Sequence, residues 1–403
     1  MKILNVSYLW HNNELLSGQS VAFDATILKI APLDQLLTLY PEAEVIDTPP
    51  YSLLMPGLIN AHVHLEFSAN KTQLKYGKFL PWLHSVIENR EELISNCDSE
   101  CMKNATEKML RSGITTFGAV SSHGMDLDAA AEAKQNVVFF NEVIGSQANM
   151  ADTLFSDFNA RLEASESIKR EGFHPAIAVH SPYSVHPALI KKALFLAKSR
   201  GYSVSAHYME SPAERAWLDE NSGDFKPFFK EFLSQEYALS SSEAFLELFN
   251  EIPTLFTHVV HANTKELQLL KEGGHTVIHC PISNRLLGNG ALDLDALEAQ
   301  KLRWLCATDG LSSNYELSLF EEMKIALFMH KESDLLTLAK DLLNAVTIEA
   351  AKALSLNTGE ISEGKNADLL LLSLEEEPNE QLALHLILHQ YPISAIYING
   401  KEV

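Results

Sequence analysis

The sequence predicts an α/β protein, a (β/α)8 TIM barrel with a small β-sandwich domain formed by both termini. Eight short apolar runs alternate with amphipathic segments through the middle of the chain. Both ends of the chain instead contain short runs of alternating apolar and polar residues, which is typical of antiparallel strands. We therefore expect a barrel over residues 55–357 and a β-sandwich domain built from residues 1–54 and 358–403.

The terminal strands are expected where alternation places every second side chain on one face. They are residues 2–10, 20–30, 44–46, 368–372 and 393–398. The barrel strands are expected at the apolar runs, which are residues 58–64, 114–120, 137–144, 176–182, 203–209, 255–261, 276–281 and 304–309. Helices between them include residues 102–111, 187–200, 241–249 and 265–272. An open doubly wound sheet is the alternative, but no GxGxxG motif follows the first run to support a dinucleotide-binding version of it.

Composition limits the classes of function. The chain has 403 residues and a formal net charge of −22, and 46% of its residues are hydrophobic. The charge argues against binding to nucleic acid and against docking on anionic membranes, because both need a cationic surface. The four cysteines form no CxxC pair, the N-terminus is unlike a signal peptide, and no apolar run reaches the ~18 residues of a membrane span. We expect a soluble, cytoplasmic protein.

Two histidines end the first apolar run of the barrel. His62 and His64 are two residues apart, so in a strand their side chains point to the same side. Imidazoles presented together in this way are suited to binding a divalent metal ion. The alternative is a pair of hydrogen-bonded core histidines.

Further histidines and carboxylates end the fifth to eighth runs. They are His207, Glu210, His258, His261, His279 and Asp309. The C-terminal ends of the strands converge at one face of a barrel, where barrel enzymes carry their active sites. Several imidazoles and a carboxylate around a position open to water are typical of a catalytic metal site. The convergence therefore predicts a metal-dependent enzyme.

Five motifs lie in order along nearly the whole chain. They are Met-Pro-Gly-Leu-Ile-Asn-Ala-His-Val-His at 55–64, His-x-x-Glu at 207–210, His-Cys-Pro-Ile-Ser-Asn at 279–284, Thr-Asp-Gly-x-x-Ser-Asn at 308–314 and Gly-Glu-Ile-x-x-Gly-Lys-x-Ala-Asp at 359–368. Together they resemble the amidohydrolase superfamily, and within it the mononuclear-metal aminohydrolases, which include deaminases and s-triazine chlorohydrolases. This resemblance implies a barrel with a β-sandwich, hydrolysis of a C–N bond of a cyclic amidine, and a homodimer.

The resemblance also implies a metal site. The ligands would be His62, His64, His207 and Asp309, holding one divalent ion, with Zn²⁺ expected first and Fe²⁺ as the alternative. Binuclear relatives use a lysine on the fourth strand, and residues 175–182 contain no lysine. One metal ion per chain is therefore expected.

For catalysis, the resemblance implies that Glu210 shuttles protons while Asp309 and a histidine of the sixth strand orient the water. The family spaces this histidine 21 residues before the histidine of strand seven, and 279 − 258 = 21 selects His258. His261 is the alternative.

Three shorter stretches indicate the substrate. Residues 180–185 are similar to a segment of nucleoside deaminases in which the histidine, here His180, faces the substrate. Residues 65–68, 79–82 and 210–214 are most similar to aminodeoxyfutalosine deaminases of the alternative menaquinone pathway. Those enzymes convert the 6-amino group of an adenine nucleoside that carries a carboxyphenyl group into a 6-oxo group.

The resemblance implies a set of substrate-binding residues. They are Glu66, Phe67, Glu88, His180, Glu210, His279, Ser283 and Asn284. The cation that would meet the substrate carboxylate stays open among Lys75, Lys78 and Arg285. The alternative functions are deamination of methylthioadenosine, S-adenosylhomocysteine, adenosine or guanine, a chlorohydrolase reaction, and a non-catalytic scaffold on the same barrel.

Overall fold

The computed structural model describes residues 1–70 and 72–403. Strands and helices alternate through the middle of the chain, and strands predominate at its two ends. The strands are β1 (Lys2–Asn5), β2 (Tyr8–His11), β3 (Glu14–Ser17), β4 (Ser20–Phe23), β5 (Ile27–Ala31), β6 (Glu44–Asp47), β7 (Ser52–Pro56), β8 (Leu58–Val63), β9 (Ile114–Ser121), β10 (Asn136–Val143), β11 (Phe173–Val179), β12 (Val204–Tyr208), β13 (Thr254–His258), β14 (Thr276–His279), β15 (Arg303–Cys306), β16 (Leu369–Ser373), β17 (Ile393–Ile398) and β18 (Lys401–Glu402). The helices are α1 (Leu33–Leu39), α2 (Phe79–Glu88), α3 (Arg90–Ser95), α4 (Ser99–Arg111), α5 (Leu127–Glu132), α6 (Ala151–Glu166), α7 (Pro187–Arg200), α8 (Pro212–Glu220), α9 (Phe225–Leu233), α10 (Ser242–Glu247), α11 (Thr264–Glu272), α12 (Pro281–Leu286), α13 (Leu294–Ala299), α14 (Leu319–Met329), α15 (Leu335–Ala345), α16 (Ile348–Ala353) and α17 (Leu382–His389), with a short 3-10 helix at Ala148–Met150.

Strands β8 to β15 form one parallel sheet in which each strand pairs with its neighbours in chain order. The two edges of this sheet approach each other, since the backbone N–H of Asp309 donates to the carbonyl oxygen of His62 over 3.1 Å. Each expected barrel strand coincides with one of these eight, so the (β/α)8 barrel is confirmed. Its interior is filled by apolar side chains that include Ile59, Val120, Phe140, Ala178, Leu255 and Ile278.

The helices pack around the barrel through apolar stripes with the helical period. Helix α7 begins at Pro187, where the missing N–H is not needed, and ends before Gly201, whose φ is 68°. Its buried residues are Leu189, Ile190, Ala193, Leu194 and Ala197. The helix expected at 187–200 is found with these bounds. Among the helices that the structure describes, none is long and apolar enough to cross a membrane.

The two ends of the chain build two sheets beside the barrel, ordered β5-β4-β1-β6 and β18-β17-β16-β7-β2-β3. The expected strand at 2–10 is in fact two strands, because the chain bends at Val6 and Ser7 and then joins the other sheet. The expected strand at 20–30 is likewise a hairpin of β4 and β5. Strand β1 pairs with β6, and β2 with β7, in parallel, so the expectation of antiparallel pairing holds only for part of these sheets.

A close backbone approach joins the terminal sheets to the barrel. Only Gly57 separates β7 from β8, and a Cβ atom there would lie 2.1 Å from Oγ1 of Thr115. Glycine is therefore required at this junction. The division of the chain into 1–54 plus 358–403 and 55–357 stays a prediction, and β7 crosses its first boundary.

Candidate active site

Three histidines and one aspartate meet at the C-terminal end of the barrel. His62 and His64 lie at the end of β8, His207 lies on β12, and Asp309 follows β15. The ring centroid of His62 lies 4.9 Å from that of His64 and 5.0 Å from that of His207. The Nε2 atoms of His62 and His64 lie 3.6 and 3.7 Å from Oδ1 of Asp309. The structure thus brings together the four residues expected as metal ligands.

This four-residue cluster fits a divalent metal ion. One nitrogen from each of the three histidines lies within 4.8 Å of the other two. The separations from Asp309 are too long for hydrogen bonds, and Nε2 of His62 is buried with no hydrogen-bond partner among the described residues. Burial lowers the pKa of His62, and burial together with the neighbouring imidazoles lowers the pKa of His207 well below its ordinary value. Neutral imidazoles with free lone pairs are the form that binds a metal.

Hydrogen bonds behind the cluster orient its members. Nδ1 of His207 donates to the carbonyl oxygen of His180 over 2.8 Å, which leaves its Nε2 free to face the cluster. Ser283 and Ser313 each donate from Oγ to Oδ2 of Asp309 over 2.8 Å. Ser283, expected against the substrate, therefore supports Asp309 instead, and Ser313 does the same.

The backbone is left-handed at several strand ends. The φ angle is 49° at Met209, 74° at His258, 55° at Val259 and 57° at Asp309. Such angles are uncommon for residues other than glycine, and for a β-branched residue such as Val259 they are rare. Strained backbone of this kind concentrates at functional sites, where the surrounding packing holds it.

Glu210 is buried beside the cluster. Its Oε1 accepts a hydrogen bond from Nδ2 of Asn289 over 3.3 Å and lies 3.6 Å from Nε2 of His258. Burial raises the pKa of Glu210 well above its ordinary value, and the charges of Asp309 and Glu214 act in the same direction. The shift favours the protonated carboxyl, which is the form that can donate a proton.

Glu214, which is absent from the expected site, holds the backbone of Glu210 in place. Its two carboxylate oxygens accept hydrogen bonds from the N–H groups of Met209 and Glu210 over 3.0 and 2.8 Å. Ser211 caps α8 by accepting the N–H of Glu214 over 3.2 Å. These hydrogen bonds all join residues 209–214, so the turn at the end of β12 is fixed by its local sequence.

The two histidines near the end of the sixth barrel strand occupy different places. His258 is buried, and its ring centroid lies 5.6 Å from that of His207. His261 points away from the cluster, with its Nε2 2.7 Å from the carbonyl oxygen of Asn289. The geometry favours His258 as the residue beside the water.

A cavity of about 550 Å³ opens onto the cluster. Its lining includes five residues of the site: His64, His207, Glu210, His258 and Asp309. Phe67 and His180, both expected to contact the substrate, also line it, and one side is formed by apolar side chains of α2. A concave, largely apolar site with a few converging polar groups is the usual form of a small-molecule site.

Two glutamates expected at the substrate do not line this cavity. Glu66 is buried, and its carboxylate accepts hydrogen bonds from the N–H groups of Ser122, His123 and Met125 over 2.9–3.1 Å. It therefore orders the loop after β9. Glu88 is exposed and lies 3.8 Å from Lys75, so it contacts solvent instead of the cavity.

His279 and Asn284 lie behind the cluster and not in the cavity lining. Oδ1 of Asn284 accepts a hydrogen bond from Nδ1 of His258 over 3.0 Å, and its Nδ2 lies 3.5 Å from Nδ1 of His279. Nε2 of His279 lies 3.0 Å from Nε2 of His330. Both residues therefore support His258 from behind, in place of the expected contact with substrate.

The basic residues around the cavity differ from those expected. Lys75, Lys78 and Arg285 do not line it. Three residues that no motif marked do so: Arg90, His123 and Arg161. Glu142 is a further residue that sequence reasoning missed, since its Oε1 lies 3.9 Å from Nδ1 of His207.

A parallel barrel with histidines and an aspartate at the C-terminal ends of its strands is the architecture of metal-dependent barrel hydrolases. Residues 53–403 match the amidohydrolase family. The chain belongs to this family.

Two similar proteins and one solved structure match this chain over nearly its full length. The chain is 46% identical over 404 residues to an aminodeoxyfutalosine deaminase of a Nitratiruptor species, covering 100% of this chain and 99% of that protein. It is 35% identical over 398 residues to an adenosine deaminase of Helicobacter pylori, covering 97% of this chain and 96% of that protein. A crystal structure of Helicobacter pylori aminofutalosine deaminase in complex with methylthio-coformycin matches with a TM-score of 0.95 at 33% identity over 100% of both chains. The expectation of a hydrolase that acts on C–N bonds is confirmed.

Proposed function

We propose that this protein is a metal-dependent hydrolytic deaminase of a 6-aminopurine nucleoside, and that it converts 6-amino-6-deoxyfutalosine to futalosine and ammonia in menaquinone biosynthesis. One observation carries the proposal: the Glu210 carboxyl, whose pKa is raised well above its ordinary value by burial, lies 3.6 Å from His258 beside a cluster that fits a metal. The 46% identical relative supports the choice of substrate, because that protein is named for this reaction.

The metal would be held by His62, His64, His207 and Asp309. We propose Zn²⁺, with Fe²⁺ as the alternative that the same ligand types accept. When bound, such an ion supplies Lewis-acid activation of a water molecule. No lysine lies on β11, so the ligand set supports one ion per chain.

The remaining chemistry belongs to the side chains of this chain. Asp309 and His258 orient the water, and Asp309 takes its proton as the oxygen attacks C6 of the purine. Glu210 donates its proton to the adjacent ring nitrogen, which makes C6 electrophilic and gives a tetrahedral intermediate. Asp309 returns its proton to the amino group, the C6–N bond breaks, and ammonia leaves. Glu210 takes the proton of the C6 hydroxyl, which gives the 6-oxo product and restores the acid. Acid–base catalysis of this kind contributes ~10²–10⁴-fold.

The test is ammonia release by purified protein of known metal content. The substrates are aminodeoxyfutalosine, adenosine, methylthioadenosine, S-adenosylhomocysteine and guanine, and the change in purine absorbance is the second readout. We expect aminodeoxyfutalosine to be the preferred substrate and Glu210→Gln to lower kcat by at least ~10²-fold. Glu220→Gln, an exposed change of the same kind on α8, is the control. No turnover of any amine would contradict the proposal.

Deamination of adenosine is the second candidate, because the 35% identical relative carries that name. A higher kcat/KM for adenosine than for aminodeoxyfutalosine would select it and would keep the roles of the side chains. We also propose a homodimer, to be tested by light scattering on the purified protein.

A further inference from the structure

One face of helix α2 forms the apolar side of the cavity. Phe79, Trp82, Leu83, Val86 and Ile87 all line it. Their spacing of three and four residues places them on one stripe of the helix. Phe79 is buried and packs against the core, whereas Ile87 at the other end of the stripe remains 39% exposed, so the outer part of the stripe borders the open cavity. The stripe is therefore available to an apolar ligand group.

Arg90 continues this stripe at the end of the cavity. It lies three residues after Ile87, begins α3 and lines the same cavity. Among the described residues, no carboxylate lies within salt-bridge distance of its guanidinium. In a chain of net charge −22, an arginine at a cavity without an acidic partner is available to an anionic ligand.

The guanidinium of Arg90 is oriented by His123. Its Nη2 lies 3.1 Å from Nε2 of His123, which accepts the hydrogen bond when the imidazole is neutral. Burial lowers the pKa of His123 and so favours this neutral form. The backbone N–H of His123 is in turn bound by Glu66 over 2.9 Å. The chain of contacts thus connects Arg90 to the segment that follows the metal-fitting histidines.

Arg161, the other arginine of the lining, is already engaged. It donates to the carbonyl oxygens of Ser121 and Glu142 over 3.3 and 2.9 Å, and it lies 3.3 Å from the carboxylate of Asp157. These contacts tie the ends of β9 and β10 together. Arg161 therefore supports the cavity wall, and Arg90 is the arginine left to bind a ligand.

We infer that Arg90, oriented by His123 and preceded by the apolar stripe of α2, is a specificity subsite for an aromatic carboxylate at the far end of the nucleoside. The aromatic ring packs on the stripe, and the carboxylate accepts paired hydrogen bonds from the guanidinium. The inference rests on the proposed function and deepens it, because it assigns the recognition of the acidic tail to a residue outside the reacting centre. Nucleosides without the tail do not use this subsite.

The test compares two substrates in Arg90→Gln. For aminodeoxyfutalosine we expect KM to rise about 10- to 100-fold with kcat within about twofold, since a hydrogen bond to a charged group is lost away from the reacting atoms. For adenosine we expect both constants to stay within about threefold. Arg90→Lys keeps the charge but not the paired hydrogen-bond geometry. Its KM for aminodeoxyfutalosine is therefore expected to lie between the values of wild type and Arg90→Gln. Arg303→Gln removes an arginine at the start of β15, at the opposite end of the barrel, and controls for the loss of one positive charge.

Direct binding separates this inference from the proposed function. Futalosine carries the same tail, and its binding to the metal-loaded protein is measured by calorimetry in wild type, Arg90→Gln and Arg303→Gln. Weaker binding only in Arg90→Gln supports the subsite even if turnover of aminodeoxyfutalosine fails. Equal binding in wild type and Arg90→Gln overturns the subsite and leaves the deaminase proposal standing. No binding of futalosine to wild type overturns the subsite, and ammonia release from aminodeoxyfutalosine then decides the deaminase proposal by itself.

Discussion

The Nδ1 atom of His258 lies 3.0 Å from Oδ1 of Asn284, while its Nε2 atom lies 3.6 Å from Oε1 of Glu210. A carbonyl oxygen only accepts hydrogen bonds, so Nδ1 carries the proton and Nε2 presents its lone pair to the active site. Burial lowers the pKa of His258 to about 4, which keeps the ring neutral. Asn284 therefore decides which nitrogen of His258 can accept a proton or a hydrogen bond from water.

Asn284→Ala removes the hydrogen bond that keeps the proton of His258 on Nδ1. We expect kcat to fall about 10- to 100-fold while KM changes little, because the residue acts on His258 and does not line the cavity. Steady-state kinetics and a melting curve check the result. Asn104→Ala, at an exposed residue of α4 that does not line the cavity, is the control. An unchanged kcat in Asn284→Ala would show that the contact is not needed.

The two histidines of the sixth strand give a matched pair of variants. His258→Asn is expected to lower kcat by at least ~10²-fold, because the side chain faces the site of the water. His261→Asn is expected to lower kcat less than about fivefold and to act on stability, because its ring binds the carbonyl oxygen of Asn289. Kinetics of both variants at one pH decide the assignment, and the reverse order would reassign the role to His261.

Ser283 and Ser313 both donate to the same oxygen of Asp309. Either single change to alanine leaves one donor, so we expect a fall in metal affinity of less than about tenfold. The double variant leaves a buried carboxylate oxygen unpartnered, and we expect a loss larger than the sum of the two single effects in free energy. A double-mutant cycle on metal affinity measures the difference, and strict additivity would argue against shared support.

Removal of the metal should abolish activity and lower Tm. An ion that binds only the folded state stabilises it by ~2.7 kcal/mol when its free concentration is 100 times Kd. We expect chelation to end ammonia release and added Zn²⁺ to restore both activity and Tm. His64→Ala should lose the ion, whereas His389→Ala, exposed at the end of α17, should keep it. Full activity at negligible metal content would contradict the ligand assignment.

The raised pKa of Asp126 predicts that the free energy of unfolding falls as pH rises. Burial raises its pKa from 3.8 to about 8, and the charge of Glu66 acts in the same direction. Because the folded-state pKa is the higher one, the folded protein keeps a proton that the unfolded chain loses. The stabilising contribution is therefore present at acidic pH and is lost between about pH 4 and 8, by up to ~1.4 kcal/mol per pH unit.

Asp126→Asn removes this titration. We expect Tm of the variant minus Tm of wild type to increase with pH over this range, measured by thermal denaturation at constant ionic strength. Asp128→Asn removes an exposed carboxylate of α5, the helix that begins directly after Asp126, and controls for the change in net charge. A difference that stays constant or decreases with pH would contradict the prediction.

The barrel and the metal-fitting cluster could be predicted because their signals are local. A parallel strand buried on both faces is a continuous apolar run, and a helix such as Pro187–Arg200 has a periodic apolar stripe with its own end signals. His62 and His64 share a face because they are two residues apart on one strand. The meeting of His207 and Asp309 with them follows from the barrel topology once the strands are assigned.

The terminal sheets and the lining of the cavity were less predictable. Residues 2–10 alternate like one strand, yet β1 and β2 pair with different partners, and pairing depends on segments far along the chain. Glu66 follows the metal-fitting histidines in sequence, yet it binds the backbone of residues 122–125. No local pattern records which distant N–H groups will lie beside a side chain.

The amino-acid pattern was enough to predict the eight barrel strands and helices such as α7. It also singled out five residues that the structure brings together: His62, His64, His207, Glu210 and Asp309. Folding determined which polar neighbours face the cavity: Arg90 and His123 line it, while Glu66, Glu88, His279, Ser283 and Asn284 do not. The physical reason is the range of the forces involved. Periodic burial is encoded within each segment, whereas the direction of a polar side chain depends on hydrogen-bond partners and charges that only the folded chain brings together.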